Sequence, residues 1–310
     1  MNLSSMLTLL KNNPKGFVIA TMSKVPPYLF PDKQYLQCLY KLRTGKILNL
    51  KNPQTFSEKL QWLKLYNRKP EYAKMVDKIE AKKYVAEVLG TEENIIPTLG
   101  VWDNPEDIDF DILPNQFVIK CNHNSGGLFV CRDKSKVTPA KWKQIVDSLK
   151  RSLKYNYYWY TREWPYKDVK RRVFVEKYMC EKMSISGNLI DYKWFCFNGI
   201  PKYCQVISGR NTKLCIDFFD PKWIHQEFHE PRQYPFAEEQ PIKPSKLNEM
   251  IQLATRLSKG HPFIRVDFYE INEKVYFGEL TFFPTDGMGL FEPEKYDRIF
   301  GDYINLYLNM

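Results

Sequence analysis

The spacing of apolar positions changes period several times along the chain, and each change marks an element. In TFSEKLQWLKLYNR (55–68), Leu60, Leu63 and Leu65 with Trp62 and Tyr66 supply the apolar faces of an amphipathic helix, and Thr55 or Ser57 can cap its first turn. EYAKMVDKIEAKKYVAEVLG (71–90) reads as a second helix closed by Gly90. Upstream, residues 1–55 read as mostly helical, punctuated by Pro26, Pro27, Pro31 and Pro53. From about residue 95 the period falls to two. IIPTLGVW, FVIK, LFVCRD and RVFVEKYM read as strands, with a helix near 138–155 before the last of them. DYKWFCFNG and PKYCQVISG follow as two strands joined at Asn198-Gly199, a dipeptide suited to a tight hairpin. A helix at about 245–258 then leads to FIRVDFYEIN and KVYFGELTFFP, joined through Asn272-Glu273-Lys274.

This order predicts an α+β fold built on antiparallel hairpins rather than a repeating βαβ pattern, which disfavours a doubly wound dinucleotide fold. No internal repeat, low-complexity tract or long linker interrupts it. With 310 residues, 44% of them hydrophobic and 26% charged, the chain can bury a sizeable core. The formal net charge of +10 suits an anionic partner, or equally a solvated lysine-rich surface. Its densest basic cluster is REWPYKDVKRR (162–172), without a recognisable nucleic-acid module, so nucleic acid is not an expected partner.

Seven cysteines without CxxC spacing point to reduced, buried thiols of a cytosolic protein rather than a disulfide frame or structural zinc. His225 and His229 lack the HExxH order and read as loop or hairpin residues. At the N-terminus, two apolar patches split by KNNPK are each shorter than the ~18–20 residues of a membrane span, and their order does not resemble a secretory signal. A packed helix or peripheral contact with the inner face of a membrane both suit them.

Several short stretches carry candidate chemistry. FVIKCNHNSGG (117–127) puts Lys120 at the end of a strand, before a loop ending in two glycines. A lysine there is costly unless a carboxylate or a phosphate meets it. In IRVDFYE, alternation puts Arg265 and Asp267 on one face, and GELTFF puts Glu279 and Thr281 on one face of the partner strand. A tight hairpin brings the four together. Two carboxylates and a hydroxyl are hard ligands of the kind Mg²⁺ prefers, and an arginine beside them can hold a phosphate or stabilise an oxyanion. Arg265, Asp267 and Glu279 would equally make an ordinary buried ion pair.

The other stretches are weaker singly. Glu176 and Lys177 in VEKYM end a strand whose free backbone groups could seat a purine, as many strand ends could. Asp191, with Lys193 on its face, could accept ribose hydroxyls or form a salt bridge. Lys78 lies among Asp77, Lys82 and Lys83 on what reads as a charged helical face. DID (107–109) and DFD (109–111) have the D-x-D spacing of metal-dependent sugar-nucleotide enzymes, but inside an acidic turn without a glycine-rich fold around it.

The order of these stretches is more specific than any one of them. A helical DK, a strand lysine before Ser-Gly-Gly, EKY-M, D-x-K, then R-x-D followed by E-x-T resembles the ATP-grasp superfamily over roughly residues 70–300. TFSEKLQWLKLYNRKPEYAKMVDK, LPNQFVIKCNHNSGG, REWPYK, DYKWFCFNG and IRVDFYEINEKVYFGELTFFP resemble more closely the TupA-like ATP-grasp group, associated with bacterial surface polysaccharide and teichuronopeptide synthesis. The resemblance implies two α+β subdomains whose antiparallel sheets clamp ATP: residues 1–69 as a mostly helical N-terminal region, and 70–310 as the ATP-grasp domain, with a lid at about 110–179 and a catalytic part at about 180–310.

It also implies roles for single residues. Lys78 and Lys120 match the phosphate lysines, and Ser125, Gly126 and Gly127 the lid loop. Glu176, Lys177, Tyr178 and Met179 match the adenine hinge, and Asp191, with Lys193, the ribose side. Asp267 and Glu279 match the magnesium carboxylates, Arg265 the catalytic arginine, and Thr281 stands where most ATP-grasp enzymes have asparagine. The implied activity is ATP- and Mg²⁺-dependent carboxylate–amine ligation through an acyl phosphate. The acceptor would be an anionic, uronic-acid-bearing glycan or lipid-linked glycan, with Arg210 as a candidate contact, and the amine an amino acid or small amine. Alternatives are phosphorylation of a glycan hydroxyl, or glycosyl transfer in the same pathway.

Overall fold

The alternation read above builds two antiparallel sheets in a computed structural model of the chain, which describes residue 8 and residues 10–124, 126–180, 189–209 and 213–307. Ser125 and Arg210 lie outside the described residues. The smaller sheet contains β1 (Thr98–Trp102), β2 (Phe117–Cys121), β3 (Leu128–Cys131) and β4 (Val173–Lys177), in the order β1-β4-β2-β3. Phe117, Ile119 and Cys121 point to one face and are buried with Val173, Val175 and with Ile145 and Leu149 of a covering helix (Pro139–Leu153). Because β2 alternates, Val118 and Lys120 take the opposite face, where the register pairs them with Glu176 and Phe174. That face also presents the exposed Val101, Leu128 and Val130.

The larger sheet runs β10-β9-β5-β6-β7-β8, from β5 (Asp191–Phe197), β6 (Ile200–Ser208), β7 (Cys215–Phe219), β8 (His225–Gln226), β9 (Phe263–Ile271) and β10 (Lys274–Thr281). Asn198 and Gly199 both take left-handed conformations, as the hairpin turn requires (φ 49° and 82°). Every residue of β5 is buried, because both faces of the sheet are covered. The helix Leu247–Ser258 packs on β5, β6 and β9. Phe56 of the capped helix Phe56–Tyr66 meets Phe195, Phe197 and Phe263 within 6.5 Å, and Phe300 of the helix Lys295–Tyr303 joins them. These aromatics share a face with Asp191, Lys193, Arg265 and Asp267, so where the ring cluster ends the charged cluster begins.

Two readings from the sequence are corrected. Residues 71–90 do not form one helix: α1 (Pro14–Met22), α2 (Asp32–Thr44) and α3 (Phe56–Tyr66) are followed by two short ones, α4 (Glu71–Val76) and α5 (Glu80–Leu89). At the break Asp77 is extended (φ −73°, ψ 111°), and its Oδ1 accepts from the amides of Ile79 (2.8 Å) and Glu80 (3.4 Å). An aspartate side chain competing for the amides ends one helix and starts the next.

The second correction is the last hairpin. Its loop has two residues, Asn272 and Glu273, both left-handed (φ 51° and 59°), and Lys274 already belongs to β10. Regular pairing from that loop would set Gly278 opposite Asp267. Instead the register shifts by one residue between Phe277 and Glu279, a β-bulge at Gly278.

Candidate active site

The bulge at Gly278 aligns the charged residues of the larger sheet. Beyond it Glu279 lies opposite Asp267 and Thr281 opposite Arg265, so all four polar groups share one face. A Cβ at Gly278 would come within 3.1 Å of the Tyr269 ring and 3.2 Å of the Asp267 carbonyl oxygen, which suits glycine to this position. Arg265 donates through Nε to Asp267 Oδ1 (2.7 Å) and through its terminal nitrogen to Asp267 Oδ2 (2.8 Å) and Thr281 Oγ1 (3.1 Å). Lys193 donates to the same Asp267 carboxylate and lies 3.6 Å from Asp191.

Lys78 joins this group because of the break at Asp77. Its amide donates to the carbonyl of Asn122 in the loop after β2 (3.0 Å), and its ammonium reaches Glu279 Oε1 (2.9 Å) and the Asn124 carbonyl (3.0 Å). The charged helical face read from sequence is therefore replaced by an inward hook. Burial pushes the Glu279 carboxyl up, but Lys78, Arg265 and Lys193 outweigh it and hold it at about 2. Three cations thus face the carboxylates of Asp191, Asp267 and Glu279. Among the described residues no group of three His, Cys, Asp or Glu side chains forms a ready metal cluster. Asp267, Glu279 and Thr281 are nevertheless oxygen donors held on one face, and so few protein ligands fit Mg²⁺, which keeps most of its positions for phosphate oxygens and water.

The smaller sheet holds a second charged group on its open face. Lys120 pairs with Glu176 (2.5 Å), and so does Lys82 of α5 (2.6 Å), which also donates to the Ile96 carbonyl and Thr98 Oγ1 (both 2.8 Å). Burial raises the Glu176 carboxyl, but the two lysines outweigh it and hold it below the usual carboxylate range. The negative group that meets Lys120 is therefore a carboxylate, that of Glu176. Lys177, Tyr178 and Met179 continue from the end of β4, with the Lys177 amide donating to the Pro97 carbonyl (3.0 Å). In the loop after β2, Gly127 is left-handed (φ 63°), and a Cβ there would lie 2.5 Å from Cys121 Sγ and 2.6 Å from Ser152 Oγ; the adjacent Gly126 has no such crowding. His123 is buried in this loop with Nε2 on the Tyr155 carbonyl (3.1 Å), and burial holds it at about 4, a neutral packing residue.

Other charged residues near the site carry little signal in the sequence. Lys82 had a signal, since DKIEAK places it four residues after Lys78. Arg162, part of the basic cluster, is fully buried against the Tyr35 ring (3.9 Å) and lies 3.3 Å from Asp32. Arg172 is held by Asp77 and Glu80 (3.5 and 3.0 Å).

Glu163 and Glu230 are buried carboxylates with no ion-pair partner within 4 Å among the described contacts. Burial raises Glu163 to about 8, opposed by Lys64 and with Asp286 and Glu279 adding to the rise, and raises Glu230 to about 7. A carboxyl raised in the fold favours the protonated protein. Its stabilising share is complete below about pH 4.5 and is lost as pH rises through 7 to 8. Replacing Glu163 with glutamine is expected to flatten that dependence, leaving the variant more stable than wild type at pH 9 by on the order of a few kcal/mol. Urea unfolding at pH 5, 7 and 9 measures it, and parallel curves for the two proteins would refute it.

The family model for TupA-like ATPgrasp matches residues 58–305. No curated protein matches the chain significantly. Among solved structures, the chain is similar to the D-alanine–D-alanine ligase from Helicobacter pylori (16% identity, 82% of this chain and 70% of that one, TM-score 0.43). It is similar also to the ATP-grasp ligase PsnB with a minimal precursor, Mg and ADP (8% identity, 91% and 66%, TM-score 0.38). A third is the N5-carboxyaminoimidazole ribonucleotide synthetase from Thermus thermophilus (10% identity, 67% and 45%, TM-score 0.38). The chain spans less than two thirds of the length of the last two. The family match, which covers most of the chain, carries the assignment: this protein belongs to the TupA-like ATP-grasp family and has the α+β ATP-grasp fold.

Proposed function

We propose that the chain is a carboxylate–amine ligase that uses ATP and Mg²⁺, as ATP-grasp enzymes do, and that it acts on a uronic-acid-bearing glycan or glycolipid precursor of a bacterial surface polysaccharide. The observation that carries the ligase reading is the bulged hairpin, where Asp267 opposes Glu279 and Thr281 opposes Arg265 beneath Lys78 and Lys193. The smaller sheet serves as the lid. Its open face, with Val101, Leu128 and Val130 beside Lys120 and the Glu176–Met179 strand end, suits a purine and the phosphates attached to it.

In the working enzyme, Lys120 exchanges Glu176 for a phosphate oxygen, and Lys78 exchanges Glu279 in the same way. Asp267, Glu279 and Thr281 would then hold Mg²⁺, which when bound neutralises phosphate charge and polarises the transferring group. Arg265, anchored on Asp267, presents its guanidinium to the oxyanion that develops as the amine attacks the activated carboxylate. Position and electrostatics supply the rate, and the 122–128 loop excludes water from a hydrolysable acyl phosphate. The excess of basic residues supports an anionic acceptor. Within the basic cluster, Lys167 and Arg171 are exposed and in no ion pair among the described residues, although Arg171 donates to the Leu153 carbonyl (3.1 Å), whereas Arg162 is buried and Lys170 and Arg172 are held by carboxylates.

Calorimetric titration of ATP with Mg²⁺ tests the nucleotide site. Wild type is expected to bind, and Lys120→Ala to bind at least about tenfold more weakly, the loss of one charge-assisted contact to phosphate. A wild type that does not bind ATP overturns the reading. ADP release that requires both a uronic-acid glycan and an amine supports ligation, whereas release with the glycan alone identifies phosphorylation instead.

A further inference from the structure

Between Leu10 and Pro31 the chain carries Lys11, Lys15 and Lys24 and not one carboxylate. The first carboxylate after them, Asp32, is engaged by Arg68 (2.7 Å), the Tyr158 hydroxyl (2.8 Å) and Arg162 (3.3 Å), so it does not offset the lysines outward. α1, PKGFVIATM, lies in this segment, and none of its side chains is buried despite their apolar character. Ile19 and Met22 pack against the cluster that Tyr35, Leu36 and Leu39 of α2 form with Tyr40, Leu48 and Met288, while Val18 is 41% exposed.

The turn that follows projects further apolar groups. The amides of Leu29 and Phe30 both donate to the Pro26 carbonyl (2.9 and 3.0 Å), and Pro26-Pro27 stiffens the entry. Phe30 folds back onto the Tyr35 ring, while Tyr28 and Leu29 stand 81% and 67% exposed. The turn thus holds a tyrosine and a leucine out in water, in a segment that carries lysines and no carboxylate, and among the described residues neither side chain is buried.

From this we infer that α1 and the 26–30 turn form a docking surface for an anionic lipid membrane, with Tyr28 and Leu29 entering the interfacial region and Lys11, Lys15 and Lys24 resting on acidic headgroups. Tyrosine and leucine suit the boundary between headgroups and acyl chains, and basic residues beside them supply the second signal that stable peripheral binding needs. The charge pattern favours a lipid surface over a second copy of the chain, because a two-fold contact through this face would set like charges against each other. Among the described residues no helix is long and apolar enough to cross a membrane, so the contact is peripheral. It goes beyond the ligase reading and does not depend on it.

Co-sedimentation of the full chain with vesicles provides the test. Wild type is expected to pellet with vesicles of phosphatidylglycerol mixed with phosphatidylcholine, to be released by high salt, and to remain soluble with phosphatidylcholine alone. Lys11→Gln/Lys15→Gln/Lys24→Gln should lower partitioning on the order of 100-fold, and Tyr28→Ser/Leu29→Ser at least about tenfold. Both variants should unfold at the wild-type temperature, since every altered side chain is exposed. Failure of wild type to pellet, equal binding to neutral vesicles, or wild-type binding by either variant overturns the inference. So does a concentration-dependent dimer that Tyr28→Ser/Leu29→Ser dissolves, which would assign the surface to a second copy.

Discussion

Asp267→Asn is expected to lower ATP turnover on the order of 10³-fold while also destabilising the ligand-free protein. Both effects come from one carboxylate. Asp267 is 3% exposed and accepts two hydrogen bonds from Arg265 and a third from Lys193. An amide keeps the shape but faces two cations with a neutral group, and one of its two acceptor positions becomes a donor aimed at a donor. Breaking a buried charged network from one side costs about 3 kcal/mol, roughly 4–6 °C in melting temperature for a chain of this size. The loss of turnover has a separate origin in the proposed mechanism. Asp267 fixes Arg265 against the reacting group and supplies an anionic oxygen to the metal, and removing one preorganised electrostatic contact of this kind costs about 10²–10³-fold in rate. Thermal melting without ligand and steady-state ADP release read the two effects independently. Turnover within tenfold of wild type would show that Asp267 holds the hairpin together and takes no part in the chemistry.

Insertion of one alanine after Gly278 is expected to abolish ATP–Mg²⁺ binding, weakening it more than 100-fold, whereas deletion of Gly278 should leave it within about tenfold. The asymmetry follows from register. Regular pairing from the two-residue loop carries Phe277 to Phe268, and the next residue of β10 then falls opposite Asp267. Deleting Gly278 makes that next residue Glu279 without any bulge, so the pairs Glu279–Asp267 and Thr281–Arg265 survive. An inserted residue instead pushes the strand on by one. Because side chains alternate, Glu279 and Thr281 would turn toward the opposite face of the sheet, and Leu280, fully buried in the wild type, would turn into the charged cluster. Calorimetry on the two variants, with circular dichroism to verify the fold, distinguishes them. Equal binding by both would mean that the alignment of Glu279 with Asp267 is irrelevant to the nucleotide.

Much of the architecture was legible because it depends on local rules. The alternation in FVIKC separates Phe117, Ile119 and Cys121 from Lys120, and the burial of β2 follows it residue by residue. Thr55 with Glu58 closes a reciprocal capping box at the start of α3, and Asn198-Gly199 makes its hairpin. The reading failed at 71–90, where helical periodicity runs straight through Asp77. An aspartate inside an amphipathic pattern is usually exposed and helical. Here its side chain takes the amides of Ile79 and Glu80, and the Lys78 amide has found an acceptor in a loop that periodicity cannot see.

Local pattern alone sets the faces, namely which side of each strand carries charge, where Arg265 and Asp267 coincide, and that the chain is an α+β protein of hairpins. The order of the stretches that leads to the ATP-grasp family is likewise read from the sequence. The partners depend on the folded chain. Lys78 meets Glu279 across 201 residues, Lys193 meets Asp267 across 74, and Lys120 finds Glu176 rather than standing unpaired. Glu163, buried without an ion pair among the described residues, is not distinguishable in the sequence from any other surface-type glutamate. The physical reason is the same in each case. Backbone period and capping act between residues a few positions apart, whereas a buried charge is governed by whatever the fold brings within a few ångströms, and that depends on a one-residue bulge and a broken helix.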